Sequence, residues 1–432
     1  MLGIAWPLFS DIVAAQQPTR ADSALQLSLA GALTLATRIS PDLVAAREGA
    51  AAAAARERQA GAYPNPTLVY NREQTSGGGQ TNSQHIATLD QPIELGVRAA
   101  RRDAARLRHE AAEARRVAVE AQLRYDVTHA YALAVATDRR ATLADQAGEA
   151  FGQALRVSER RLAAGDVSGY ANRRIRLEAA RYATLRAEAA LARRSARLSL
   201  AALVFPEPTS ARASGLTLTD TLPLTTPAFP ADTLVVLALR ARAELRASER
   251  EAQAGAAEAT LARRERLPVP VLSGGLKTER VAADPEPLRG FVAGVSVPLP
   301  LWNRSGGTVE AAGAEARRRV AETESLRRRV AREVIDAADA FRATAEQITL
   351  LAPQLGTESR IALRSAQVAY SEGEVSLVEW LDAVRAYHEA ESSFANLRAD
   401  LMVRRAALER AVGTELSPFD TSAGASVPPR KD

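Results

Sequence analysis

The sequence predicts a mainly α-helical chain with a small β part, built from long antiparallel helical hairpins and two β-hairpins, with one plan used twice. Three observations carry that prediction. Of 432 residues, 47% are hydrophobic and 25% charged, yet aromatics make up only 4%. Such a chain, dominated by Ala, Leu, Arg and Glu, suits long helices, where Ala lets backbones approach and Arg and Glu solvate the outer faces. The halves also match in order: Tyr63-Pro64-Asn65-Pro66 with Leu267-Pro268-Val269-Pro270, Gln91-Pro92-Ile93 with Val297-Pro298-Leu299, and Gly165-Asp166-Val167-Ser168 with Gly373-Glu374-Val375-Ser376. Collinear matches at a nearly constant offset mark an internal duplication. Finally, each half holds a helical run of about 65 residues, roughly 100 Å at 1.5 Å per residue, longer than a globular core accommodates.

Residues 1–15 read as a signal peptide, with an apolar run from Leu2 to Phe9 and Val13-Ala14-Ala15 before Gln16. The first repeat is expected over 16–205. It opens with a helix from Pro41 to Gly61 that ends at a Pro pair, since proline lacks the amide and clashes with the preceding turn. Strands follow at about 67–72 and 84–93, joined by a loop holding Gly77-Gly78-Gly79, and then a helical hairpin at about 97–203. A Pro-, Thr- and Ser-rich stretch, 206–230, reads as a linker. The second repeat, 231–413, has a helix from Ala243 to Arg266, strands at about 269–278 and 290–299, and a hairpin at about 308–412. In the last strand Phe291, Ala293, Val295, Val297 and Leu299 alternate with Val292, Gly294, Ser296 and Pro298. Pro353 should kink the second rod or mark a discontinuity. On the return helix Leu377, Leu381, Val384, His388, Leu397, Leu401, Leu408 and Val412 form one buried stripe. Residues 414–432 read as a disordered tail.

Several function classes are excluded. With no Cys in the sequence there are no disulfides, thiolate metal sites, cysteine nucleophiles or cysteine-borne lipid. The isoelectric point near 9.8 invites nucleic acid, but Arg is interleaved with Glu and Asp at helical spacing, so no nucleic-acid partner is expected. His85, His109 and His129 show no ligand spacing, and His388 reads as a packed core residue. The Gly77-Gly78-Gly79 run lacks the Lys-Ser/Thr of a phosphate loop and reads as a flexible extracellular loop. No cofactor, no metal site and no nucleophile with an orienting base is visible, so no enzyme is expected.

No apolar run after the amino terminus is long enough for a transmembrane helix. Tilted strands of about ten residues do cross bilayers, but only in closed barrels, and membrane barrels start at eight strands. Four strands per chain must therefore be shared among copies, or else the hairpins cap a soluble coiled-coil stalk.

The duplicated order of helix, hairpin, long helix, Gly turn and return helix, over Leu27 to Gly413, resembles the TolC family of outer-membrane efflux proteins. Gln91-Pro92-Ile93-Glu94-Leu95-Gly96 and Pro298-Leu299-Pro300-Leu301-Trp302-Asn303-Arg304 resemble the strand-to-helix junctions of its CzcC-like heavy-metal branch, and Val97 stands where a second Gly is common. The resemblance implies a homotrimer with a 12-stranded barrel in outer-membrane lipid and a helical tunnel through the periplasm. It also implies docking on a periplasmic adaptor and an inner-membrane pump of the resistance-nodulation-division type. The expected function is the exit duct of a tripartite efflux system, with divalent heavy-metal cations as cargo. Drug export, general export or type I secretion through the same fold stays open, as does a soluble periplasmic adaptor or scaffold.

Ala369 to Glu374 and Val378 to Ala383 resemble the family's periplasmic tip and gate. Glu379 and Asp382 lie three apart on one helical face, and the resemblance makes them gate residues forming acidic rings under threefold symmetry. Tyr370 matches a tyrosine that helps hold the tip closed, but Ala171 stands where an acidic partner can occur. Asn172, Arg173 and Arg174 are substitutes, with an Arg174–Asp382 bridge conceivable. Gly165, Asp166, Val167 and Ser168, with Gly373, Glu374, Val375 and Ser376, are expected to turn the chain, cap the returning helices and touch the adaptor.

Overall fold

The computed structural model describes residues 25–220, 230–282 and 286–416. The expected signal peptide, 1–15, lies outside the described residues.

The first repeat runs β1 (Leu25–Leu27), α1 (Leu29–Ile39), α2 (Pro41–Ala60), β2 (Thr67–Gly77), β3 (Gln80–Pro92), α3 (Val97–Ala163) and α4 (Gly169–Val204). A short helix α5 (Ser210–Ser214) and strand β4 (Leu216–Leu218) lead onward. The second repeat runs α6 (Ala231–Ala241), α7 (Ala243–Arg264), β5 (Val271–Arg280), β6 (Leu288–Ser296), α8 (Gly306–Ala352), a π-helical segment (Pro353–Glu358), α9 (Ser359–Glu372) and α10 (Leu377–Val412). The rod α3 is one unbroken helix of 67 residues. Its counterpart carries Pro353 in a wider i→i+5 turn, so the proline changes the winding and the rod continues.

Four features depart from the sequence-based expectation. Each repeat opens with an extra short helix, α1 or α6. The linker is partly ordered, because β4 pairs in parallel with β1. That pair is fastened to the buried Tyr131, whose hydroxyl donates to the Leu27 carbonyl at 3.0 Å and accepts from the Asp220 amide at 3.2 Å. The start of the expected tail is ordered as well: Leu416 is buried and Glu415 meets Arg124 at 2.5 Å. Residues 417–432 lie outside the described residues. Finally, no loop separates the first pair of strands. They run on to a two-residue turn in which Gly78 and Gly79 both have positive φ, the turn whose twist matches that of a hairpin.

The two repeats bury matching cores. Ala32, Leu43, Val127, Tyr131, Leu200 and Leu216 form one, and Leu234, Val330, Val334, Phe341, Leu401 and Leu408 the other. Small residues bring the rods together across the repeats, with Ala104 and Ala111 of α3 and Ala254, Gly255 and Ala259 of α7 all buried. Ion pairs set the register of α3 against the second repeat: Arg108–Glu258 at 2.6 Å, Arg250–Glu110 at 3.0 Å and Arg139–Glu391 at 2.7 Å.

At one end of the rods the strands form a single antiparallel sheet ordered β2-β3-β5-β6. Its register sorts the side chains by face. One face carries Leu68, Tyr70, Leu89, Leu272, Leu276, Phe291 and Val295; the other carries Asn71, Glu73, Asp90, Ser273 and Lys277. The apolar face is open, with Leu68 74%, Leu276 72% and Phe291 85% exposed. Strands of 11, 13, 10 and 9 residues have the length that crosses a bilayer. Alternation was faint in the sequence because glycine and alanine occupy several rows of the apolar face.

Gly275 stands where a Cβ would fall 2.0 Å from the Ala87 carbonyl oxygen, whereas its neighbour Gly274 has nothing within 4 Å. Overpacking against backbone costs about 1–3 kcal/mol. Gly275→Ala is therefore expected to lower the yield of protease-resistant protein refolded in detergent, and Gly274→Ala to leave it unchanged.

Candidate functional site: the paired helical tips

Both tips are built alike, in the manner the Gly and Ser positions predict. At the first, Gly165 adopts φ 84° and the Asp166 amide donates to the Arg161 carbonyl at 2.9 Å. At the second, Gly373 adopts φ 81° and the Glu374 amide donates to Ala369 at 2.9 Å. These bonds close the helix ends with a left-handed residue, which glycine adopts without a Cβ clash. Ser168 Oγ then accepts from the Ala171 amide at 3.2 Å, and Ser376 Oγ from the Glu379 amide at 3.3 Å.

Glu379 is where the tips diverge. Its Oε2 accepts from the Ser376 amide at 2.8 Å, completing a reciprocal cap on α10. The Ser376 backbone N–H, with help from the Ser376 side chain, holds the Glu379 carboxyl below the usual carboxylate range. The Ser-x-x-Glu spacing signals this cap in the sequence, and a reading confined to gate residues passes over it. The corresponding position of the first tip is Ala171, so α4 has only half of the device. Asp382, one turn on, meets Arg385 Nη2 at 2.9 Å.

Tyr370 stacks on Trp380 with ring centroids 5.4 Å apart and an interplanar angle of 17°, joining α9 to α10. The substitutes expected around Ala171 are used differently. Asn172, buried, donates to Ser158 Oγ at 3.0 Å inside its own hairpin, and Arg173 Nε donates to the Gly169 carbonyl at 3.3 Å. Asp382 pairs within α10, and no Arg174–Asp382 bridge forms within the protomer among the described residues. Arg160, Arg161, Arg173 and Arg174 leave the first tip basic and exposed, while Glu372 and Glu374 leave the second acidic and exposed.

Beneath the tips, Phe151 stacks on Tyr182 at 4.3 Å, and His388 meets the edge of Tyr182 at 5.6 Å. Leu381, Val384 and Ile175 complete this core. Burial pushes the His388 imidazole below its ordinary pKa and Tyr182 up to about 12. Both stay neutral at pH 7, the state a packing role requires.

Comparison with known proteins settles what carries these tips. A family model described as "Outer membrane efflux protein" matches residues 234–414. The cobalt-zinc-cadmium resistance protein CzcC of Cupriavidus metallidurans is 27% identical over 397 residues, 91% of each chain. The second repeat matches the outer-membrane efflux family, and the chain as a whole is similar to efflux proteins of TolC type. The nickel-cobalt-cadmium resistance protein NccC of Alcaligenes xylosoxydans xylosoxydans is 28% identical over 285 residues, 63% of this chain and 61% of that one. The fold is that of the Campylobacter jejuni CmeC outer membrane channel, with a TM-score of 0.74 at 18% identity, covering 89% of this chain and 85% of that one. This efflux protein is thus a transporter and not an enzyme. Its sheet belongs in the outer membrane and its rods in the periplasm.

The Glu379 cap has a pH signature. Because the folded pKa lies below the unfolded one, the stabilisation is fully present above the ordinary carboxyl value near 4.5. It is lost as pH falls through the folded value. Trp380 sits in the capped turn, so in a W6F/W302F background its fluorescence is expected to change on acidification below pH 4.5. Glu379→Gln retains the reciprocal bonds without the titration and should flatten that response.

Proposed function

We propose that three copies of this chain close one duct and that divalent metal cations are among its cargo. The chain is the outer-membrane exit duct of a tripartite efflux system. Proteins of this type are homotrimers that work with adaptor proteins and inner-membrane pumps. The observation that carries the trimer is the sheet: four strands with two unpaired edges and an exposed apolar face. Three such sheets supply twelve strands, enough for a membrane barrel, whereas one cannot close. The domain plan expected from the sequence, two repeats at 16–205 and 231–413, fits a duct in which each repeat supplies one hairpin of strands and one of helices.

Two observations support the cargo reading. CzcC and NccC, both metal-resistance proteins by name, are similar to this chain, and CzcC is so along nearly its full length. The second tip also gathers Glu379 and Asp382 on one face of α10. In a trimer they become two stacked rings of carboxylates, which attract cations and repel anions. Glu379 keeps its second oxygen for that role while the first holds the cap. Tyr370 positions this turn through its stack on Trp380. Around the closed ring a basic first tip stands next to an acidic second tip, an attraction that compensates for Ala171. The same exposed turn residues, Gly165 to Ser168 and Gly373 to Ser376, face away from the membrane and form the adaptor surface. A pump of the resistance-nodulation-division type completes the assembly.

A deletion strain should become sensitive to zinc, cobalt and cadmium and regain resistance with the gene. Sensitivity to a hydrophobic drug panel alone assigns the duct to drug export. In planar bilayers, E379Q/D382N keeps the helix cap and removes both charges. It is expected to lower cation selectivity and to relieve block by multivalent cations, and unchanged selectivity returns both acids to an ordinary surface role.

A further inference from the structure

The apolar face of the sheet is too short for a membrane if it ends with the strands. Its top is set by the polar row Arg72, His85, Thr278 and Arg289, directly above the apolar row Tyr70, Ala87, Leu276 and Phe291. From Phe291 to Val295 a tilted strand descends only about 10 Å, against the apolar band of about 25 Å that outer-membrane barrels present. The missing depth lies in the segment after β6. Pro298 and Pro300 hold Val297 and Leu299 extended, so alternate residues continue the same outward column, and Val297 and Leu299 are 44% and 70% exposed. At Pro300 the chain turns, the Leu301 amide donating to the Leu299 carbonyl at 2.9 Å. From Phe291 to Leu299 the column spans about 20 Å, close to the depth of that band, and Leu301, past the turn and 61% exposed, lies at its foot.

Trp302 follows, 93% exposed. The loop presents it by construction: Asn303 Oδ1 accepts from the Ser305 amide at 2.9 Å, and Ser305 adopts a left-handed φ of 51°. Arg266 Nε donates to the Arg304 carbonyl at 3.1 Å, which ties the segment after α7 to the loop two residues past Trp302, and both arginine side chains are exposed. On the other repeat the Arg98 guanidinium lies 3.9 Å from the ring centre of Tyr63, itself 72% exposed.

We propose that this collar is a binding site for anionic phospholipid in the periplasmic leaflet. Trp302 enters the boundary between headgroups and acyl chains, and Arg266 and Arg304 take the lipid phosphate. An exposed indole at the foot of an apolar column fits an interface with one dry and one wet side, and guanidinium forks match phosphate oxygens. The proposal rests on the outer-membrane reading, which sets the sheet in lipid and the rods below it.

The test uses full-length protein in vesicles of phosphatidylethanolamine and phosphatidylglycerol. In a W6F/W380F background, bromine placed high on the acyl chains should quench Trp302 at least twofold more than bromine at the bilayer centre. Native mass spectrometry should show preferential retention of phosphatidylglycerol over phosphatidylcholine. R266A/R304A should cut that preference roughly thirtyfold, at about 1 kcal/mol for each arginine near a charged surface, while R266K/R304K keeps most of it. Unquenched Trp302, or equal retention of the two lipids by wild type that has inserted, overturns the lipid site alone. Wild type that inserts into no vesicle overturns the outer-membrane reading as well.

Discussion

Along β2 and β6 one row of backbone N–H and C=O groups on each strand has no partner within the described sheet. In a bilayer no water takes that partner's place, so each edge must find another strand. This requirement orders the rest of the molecule. It makes the chain one part of a closed ring, and the ring carries its symmetry into the rods, so that each exposed side chain of the tips is repeated about an axis. The cross-repeat ion pairs and the close alanine contacts between α3 and α7 keep both hairpins in the register that the shared sheet demands.

Duplication supplied two copies of each device, and the copies part at the tips. Both tips reverse through a left-handed glycine and restart on a capping serine. One then places Ala171 and the other Glu379 at the third helical position. A helix start serving only structure needs no carboxylate beyond the cap, and Ala171 shows that a tip forms without one. The retained charge at the second tip, with Asp382 on the same face and an arginine-rich first tip nearby, makes the periplasmic end electrostatically uneven around its circumference.

Much of this was legible in the sequence because it rests on local rules. Positive φ at Gly165 and Gly373, serine caps, the helix break before each Pro pair and a disturbance at Pro353 all follow from the residues themselves. What was missed depends on distant partners or short elements. β1 and β4 have three residues each, too few for a period to show, and they exist because they pair with each other around Tyr131. The first hairpin's strands run to Gly77 and Gln80 through Thr, Ser, Asn and Gln, polar on both faces, so no alternation announced them. Asn172 looked available for closing the tip, but Ser158, on the facing helix, takes its amide. The assembly itself came from counting: four strands fall short of a barrel.

The π-helical segment bears on phase. An i→i+5 turn takes in about one residue more than an α-turn, and one residue is roughly 100° of rotation. Every side chain of α9 is therefore rotated by about a quarter-turn from the face that α8 alone would assign it. Gly356 makes the wide turn compatible with close packing, since a Cβ there would stand 3.1 Å from the Phe394 ring. The azimuth at which Tyr370 meets Trp380 is consequently dialled in far up the rod, at Pro353–Glu358, and the second tip inherits its orientation from a winding defect several turns away.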